Sequence, residues 1–209
     1  MKTVLCYGDS NTYGSSPMKP DGSWFRYGPD IRWPRRLASL LGPDWHVIEE
    51  GLPGRTTCHD NPFDGPHKNG LRHLPVALES HAPIDLIIVM LGTNDLKAFL
   101  GLTPPDIAKG LRSLLLQIRR SEASPDKGGP GRARGRAGAD RGMRPDRRKP
   151  CRRRGEITGT GLSLCQPGGG IRRALFFDAG SVATVSAEDG VHLTAEAHIA
   201  IADTIASRF

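Results

Sequence analysis

Apolar residues along the first hundred positions fall into short runs separated by stretches with helical spacing. Residues 3–7 form a buried-strand pattern that ends in Gly8-Asp9-Ser10. Residues 31–41 carry apolar side chains at helical spacing, and residues 45–49 read as a second strand. Residues 74–80 read as a helix. Residues 84–91 are the clearest strand, apolar enough to be covered on both faces, and they run into Gly92-Thr93-Asn94-Asp95. Pro104 and Pro105 then open a helix over 106–120, with Ile107, Leu111, Leu114, Leu115 and Ile118 on one face. Strands alternating with helices predict an α/β fold built on a parallel sheet with crossover helices.

The pattern stops after Ser121. Residues 125–173 are rich in Gly, Pro and Arg and show neither a strand nor an amphipathic helix. Order resumes with a short strand over 174–178, a loop to His192, and a terminal helix over 195–207 in which Ile201 and Ile205 lie one turn apart. Three strands before the gap and one after it leave the sheet short. A chain of 209 residues is long enough for one well-filled core, and a single domain over 1–209, interrupted by 125–173, is expected.

Charge changes this picture in one place only. The formal net charge is +7, yet residues 128–155 hold ten Arg and one Lys against two Asp, so the remainder of the chain is slightly acidic. A basic arm raises the alternative of nucleic-acid binding. No aromatic residue is interleaved within 128–173 to stack on bases, and no nucleic-acid partner is expected. The N-terminal apolar run is too short for a signal peptide and no run suits a membrane span, which points by default to a cytoplasmic protein without membrane contact. Cys6, Cys58, Cys151 and Cys165 lack CxxC or Cys/His spacing, so free thiols are expected rather than zinc ligands or disulfides.

Candidate chemistry sits at the strand ends. Ser10 follows a strand where a helix should start, which exposes its hydroxyl and directs backbone N–H groups toward developing negative charge. His192 is a side chain of the type that titrates near neutral pH, and Asp189, three residues earlier, can fold back through Gly190 to orient it. Gly54 and Asn94 follow the next two strands and offer a close backbone N–H and a side-chain amide. The P-loop, His-Glu-x-x-His and Gly-x-Ser-x-Gly signatures are absent.

Gly8-Asp9-Ser10 with Thr12 and Gly14, Gly51 with Gly54, Gly92-Thr93-Asn94-Asp95, and Asp189-Gly190-Val191-His192 together resemble the four sequence blocks of the GDSL/SGNH hydrolase superfamily. Residues 48–52, 54–57 and 90–95 further resemble its bacterial arylesterase/acyltransferase branch. The resemblance covers 1–120 and 174–209. It implies a three-layer, flavodoxin-like α/β/α sandwich and a serine esterase for small or short-chain esters, with water or an alcohol accepting the acyl group. It also implies catalytic Ser10, Asp189 and His192, an oxyanion hole of Ser10, Gly54 and Asn94, no metal or organic cofactor, and a homo-oligomer. Asn11 stands where the family name has Leu, a change expected to matter little to the chemistry. Tyr13 and Ser15 replace aromatic residues common in the acyltransferase branch.

The resemblance also implies a further core strand and a helix where 125–173 lie. Back-translation one base along permits an apolar strand closing in prolines over 131–140 and an amphipathic helix over 155–172. We therefore read 125–173 as the product of two compensating frameshifts, near residues 127–129 and 172–174, with a central strand missing from this chain. An inactive or misfolded family member is the alternative that this segment raises.

Overall fold

A computed structural model describes residues 1–125 and 175–209, together with the strand backbone Gly161–Cys165. Five strands, β1 (Lys2–Gly8), β2 (Trp45–Gly51), β3 (Leu86–Met90), β4 (Gly161–Cys165) and β5 (Leu175–Asp178), form one sheet in the order β2-β1-β3-β4-β5. The helices are α1 (Ser10–Tyr13), α2 (Trp33–Leu41), α3 (Gly70–Ser80), α4 (Pro104–Arg120) and α5 (Ala195–Ala206). β1 pairs in parallel with both β2 and β3, so Gly8 lies level with Gly51 on one side and Met90 on the other. The loops that follow these three strands consequently open at the same edge.

Successive strand side chains point to opposite faces, and both faces are covered here. Val4 and Cys6 of β1 and Ile88 and Met90 of β3 pack with Trp33 and Leu37 of α2 and Ile201 and Ile205 of α5. Leu5, Tyr7, Ile87 and Val89 pack on the other face with Leu74 and Leu78 of α3 and Leu114 and Ile118 of α4. This is the three-layer α/β/α sandwich. Burying each of these larger aliphatic side chains contributes roughly 1.5–3 kcal/mol before ordering entropy is counted.

Thr103 and Asp106 form a capping box at the start of α4, and prolines fill its first positions, which need no N–H donor.

The parallel pattern breaks at β4, which is antiparallel to both β3 and β5. The reading of 125–173 as devoid of strands is corrected by Gly161–Cys165. This antiparallel strand stands between β3 and β5, where a parallel family strand was expected, and no parallel strand occupies that place among the described residues. The remainder of 126–174 lies outside the described residues, as does the shifted-frame strand read over 131–140; of the shifted-frame helix read over 155–172, only Gly161–Cys165 is described, and in the chain as written it is a strand. Cys6 and Cys58 are free thiols. Among the described residues, no helix is long and apolar enough to cross a membrane.

Candidate active site

The turn after β1 is shaped by two glycines. A Cβ on Gly8 would come within 2.0 Å of Thr12 Oγ1, and one on Gly51 within 2.2 Å of the Tyr13 backbone nitrogen. Their absence lets α1 sit directly on the ends of β1 and β2. Asp9 caps α1 by accepting the Asn11 N–H at 3.0 Å, and Gly14 closes it at φ +88°. Because α1 is a single turn of four residues, what it offers negative charge at Ser10 is local N–H groups and not the dipole of a full helix.

Ser10 Oγ lies 3.1 Å from His192 Nε2, and His192 Nδ1 lies 2.7 Å from Asp189 Oδ2. The structure thus joins all three predicted side chains in one hydrogen-bonded chain across 182 positions of sequence separation. Asp189 is fixed from several sides. Its Oδ1 accepts the N–H groups of Val191 and His192, both at 2.9 Å, and its Oδ2 also accepts the Met18 N–H at 2.8 Å. Desolvation would raise its pKa, but the bonds from Met18, His192 and Val191 outweigh it and hold the carboxyl well below the usual range.

Two contributions were not legible in the sequence. Asn11 is fully buried and uses both ends of its amide on the His192 loop. Its Nδ2 donates to Val191 O at 3.2 Å, and its Oδ1 accepts the Leu193 N–H at 3.0 Å. Asn11, read from the sequence as a change of little weight for the chemistry, thus has a structural part: it holds the residues on either side of His192. The second is the Met18 N–H. The loop that carries it folds back through the Ser15–Arg26 bridge, and a backbone donor leaves no mark on residue type.

The candidate oxyanion donors meet at the same edge. Leu52, Pro53, Gly54 and Arg55 form a turn closed by Arg55 N–H to Leu52 O at 3.0 Å, with Gly54 at φ +82°. Asn94, nearly buried, donates from Nδ2 to Arg55 O at 3.2 Å and approaches Asp9 Oδ2 at 3.5 Å. Among the described residues, the Ser10 and Gly54 N–H groups donate to no other protein atom. Asp95, fully buried, accepts both the N–H and the hydroxyl of Thr57, at 2.9 and 2.6 Å, and so ties the Asn94 loop to the Gly54 loop. Asp9 is also fully buried. Burial pushes its pKa up to about 6, against the Asn11 N–H and the positive fields of His192 and Arg55, while Asp95 raises it further. Among the described residues, no group of three or more His, Cys, Asp or Glu side chains is placed to hold a metal ion.

A three-layer sandwich that brings a serine, a histidine and a carboxylate into one hydrogen-bonded chain at the strand ends defines an SGNH-type hydrolase. The model of the GDSL-like lipase/acylhydrolase family matches residues 6–200, and the chain belongs to that family. It is an ester-bond hydrolase. The inhibitor-bound aryl esterase of M. smegmatis is similar in structure, with 30% identity, a TM-score of 0.74, and coverage of 100% of this chain and 98% of that one. A carbohydrate acetylesterase from Sinorhizobium meliloti has 32% identity and a TM-score of 0.74 over 100% of this chain and 98% of its own. A carbohydrate acetylesterase family member from the same organism has 33% identity and a TM-score of 0.70 over 100% and 97%. Comparison with curated proteins gives no match.

Proposed function

We propose that the protein is a serine esterase that cleaves small or short-chain carboxylic esters through an acyl-enzyme on Ser10. The observation that carries this reading is the continuous hydrogen-bonded chain from Ser10 Oγ through His192 to Asp189. His192 Nε2 takes the Ser10 proton as Oγ bonds to the ester carbonyl carbon, and the carbonyl π electrons move onto oxygen. The N–H groups of Ser10 and Gly54 and the Asn94 amide stabilise that oxyanion, each donor being worth about 10²–10³ in rate. Collapse breaks the bond to the leaving alcohol, which takes the proton from His192. Water, or an alcohol in a transfer reaction, then gives its proton to His192 and attacks the acyl-enzyme, and Ser10 leaves with that proton. Asp189 stays ionised throughout and orients the imidazole, consistent with its lowered pKa.

The aryl esterase and carbohydrate acetylesterases among the structural relatives support a short acyl group on an aryl or sugar-like alcohol. Hydrolysis of p-nitrophenyl acetate tests the mechanism. Ser10→Ala is expected to lower kcat by about 10⁴-fold or more. Activity that survives Ser10→Ala would sink the acyl-enzyme.

A further inference from the structure

Arg55 is a nearly buried cation at the junction of the three loops that carry the site. Its Nη1 donates to Gly8 O at 2.9 Å, at the end of β1, and to Glu50 O near the end of β2. Its Nη2 lies 3.7 Å from a Glu50 carboxylate oxygen, and the other oxygen of that carboxylate is 2.9 Å from His81 Nε2. The guanidinium lies over the Tyr7 ring at 4.1 Å, and the Tyr7 hydroxyl donates to Gly70 O at 2.7 Å. Its Nε is buried without a partner among the described residues. A buried charge with an unmet donor weighs against stability, so its presence here calls for a role beyond filling space.

The main chain of the same residue points to that role. Arg55 follows Gly54 directly, and its N–H closes the turn that presents the Gly54 N–H. Its carbonyl accepts the Asn94 amide at 3.2 Å. The side chain therefore ties to β1 and β2 the very backbone that carries one oxyanion donor and aims the second.

We propose that Arg55 is a positioning residue for the oxyanion hole: the two bonds from its Nη1 to the Gly8 and Glu50 carbonyls, with its stacking on Tyr7, fix the Gly54 N–H and the Asn94 amide relative to Ser10. The proposal rests on the acyl-enzyme reading above only for its kinetic arm. Lysine keeps the charge but lacks the planar guanidinium that lies over Tyr7 while its Nη1 reaches both carbonyls, so Arg55→Lys is the informative variant, with Arg55→Ala beside it. A displacement of about 1 Å in a reacting group can cost 10²-fold. Arg55→Lys is accordingly expected to lower kcat on p-nitrophenyl acetate by about 10–100-fold with KM within about threefold. In an Asn94→Ala background the same change should cost much less, since one of the donors it aims is already gone.

A kcat loss smaller than about tenfold, a loss carried mainly by KM, or fully multiplicative effects of Arg55→Lys and Asn94→Ala overturns the proposal. A readout free of turnover separates this from failure of the mechanism. In ¹⁵N-labelled protein, the Asn94 side-chain amide and the Gly54 backbone amide should lose their wild-type chemical shifts in Arg55→Lys, while core amides in β3 keep theirs. Unmoved Asn94 and Gly54 resonances overturn the positioning role whatever the activity, whereas turnover that persists in Ser10→Ala overturns only the acyl-enzyme.

Discussion

At the scale of single residues, the site depends on where charge is buried. Asp9 sits between Ser10 and the Asn94 amide with its carboxyl fully shielded, and burial lifts its pKa from 3.8 to about 6. Between those values the folded protein holds a proton that the unfolded chain has released. The resulting stabilisation is fully present below about pH 4 and is lost as pH rises through about 6. Asp9→Asn keeps an acceptor for the Asn11 N–H but removes this titration. The stability of the wild type relative to Asp9→Asn should therefore fall by about 3 kcal/mol between pH 4 and pH 8, read from urea unfolding at both ends. Parallel pH dependence in the two proteins would show that Asp9 carries no such shift. Ser10, Asp189 and His192 were legible as candidates because their chemistry is written in residue type and local spacing. Asn11 and the Met18 N–H were not, because their partners lie about 180 and 171 positions away and nothing in a linear sequence marks such a pairing.

At the scale of elements, hydrophobic runs located β1, β2, β3, β5 and the four longer helices, since covered strands and amphipathic helices announce themselves through which positions are apolar. β4 escaped that reading. Leu162 and Leu164 do alternate as a strand requires, but they stand within a Gly-, Pro- and Arg-rich stretch that reads as a shifted frame. The junction between α1 and the loop before α5 is a second feature beyond sequence patterning, and Asn11 makes it. Replacing Asn11 with the leucine of the family name removes the bonds to Val191 O and Leu193 N–H while keeping a similar volume. Each unpaired group costs about 1–3 kcal/mol when it stays buried. Asn11→Leu should lower the thermal midpoint and cut kcat by about tenfold or more, with KM little changed, because His192 loses its fixed distance to Ser10. Wild-type kcat in a folded Asn11→Leu protein would show that Asp189 and Met18 suffice to hold the loop.

At the scale of the whole molecule, the two sides of the site are tied to the sheet unequally. Ser10, Gly54 and Asn94 follow β1, β2 and β3, which are paired in parallel over buried residues on both faces. Asp189 and His192 follow β5, which among the described residues is joined to β3 through β4, a five-residue strand in the antiparallel sense. α5 supplies the other attachment, through Ala197, Ile201, Ala202 and Ile205 against α2 and the sheet. Any weakness in the sheet should therefore first be felt as loosening of Asp189 and His192, with Ser10, Gly54 and Asn94 left in place. The frameshift reading of 125–173 makes this testable. If compensating single-base changes occurred near residues 127–129 and 172–174, restoring the frame should replace the antiparallel pairing with a parallel strand. The repaired protein is expected to unfold at a temperature higher by roughly 4 °C or more, equivalent to about 1–2 kcal/mol for a chain of this size, and to show higher kcat on p-nitrophenyl acetate. Both repaired and unrepaired activities should vanish with Ser10→Ala. A nucleotide sequence without such changes, or a repaired protein no more stable or active than the chain as written, would mean that Gly161–Cys165 is a sufficient link between β3 and the segment bearing Asp189 and His192.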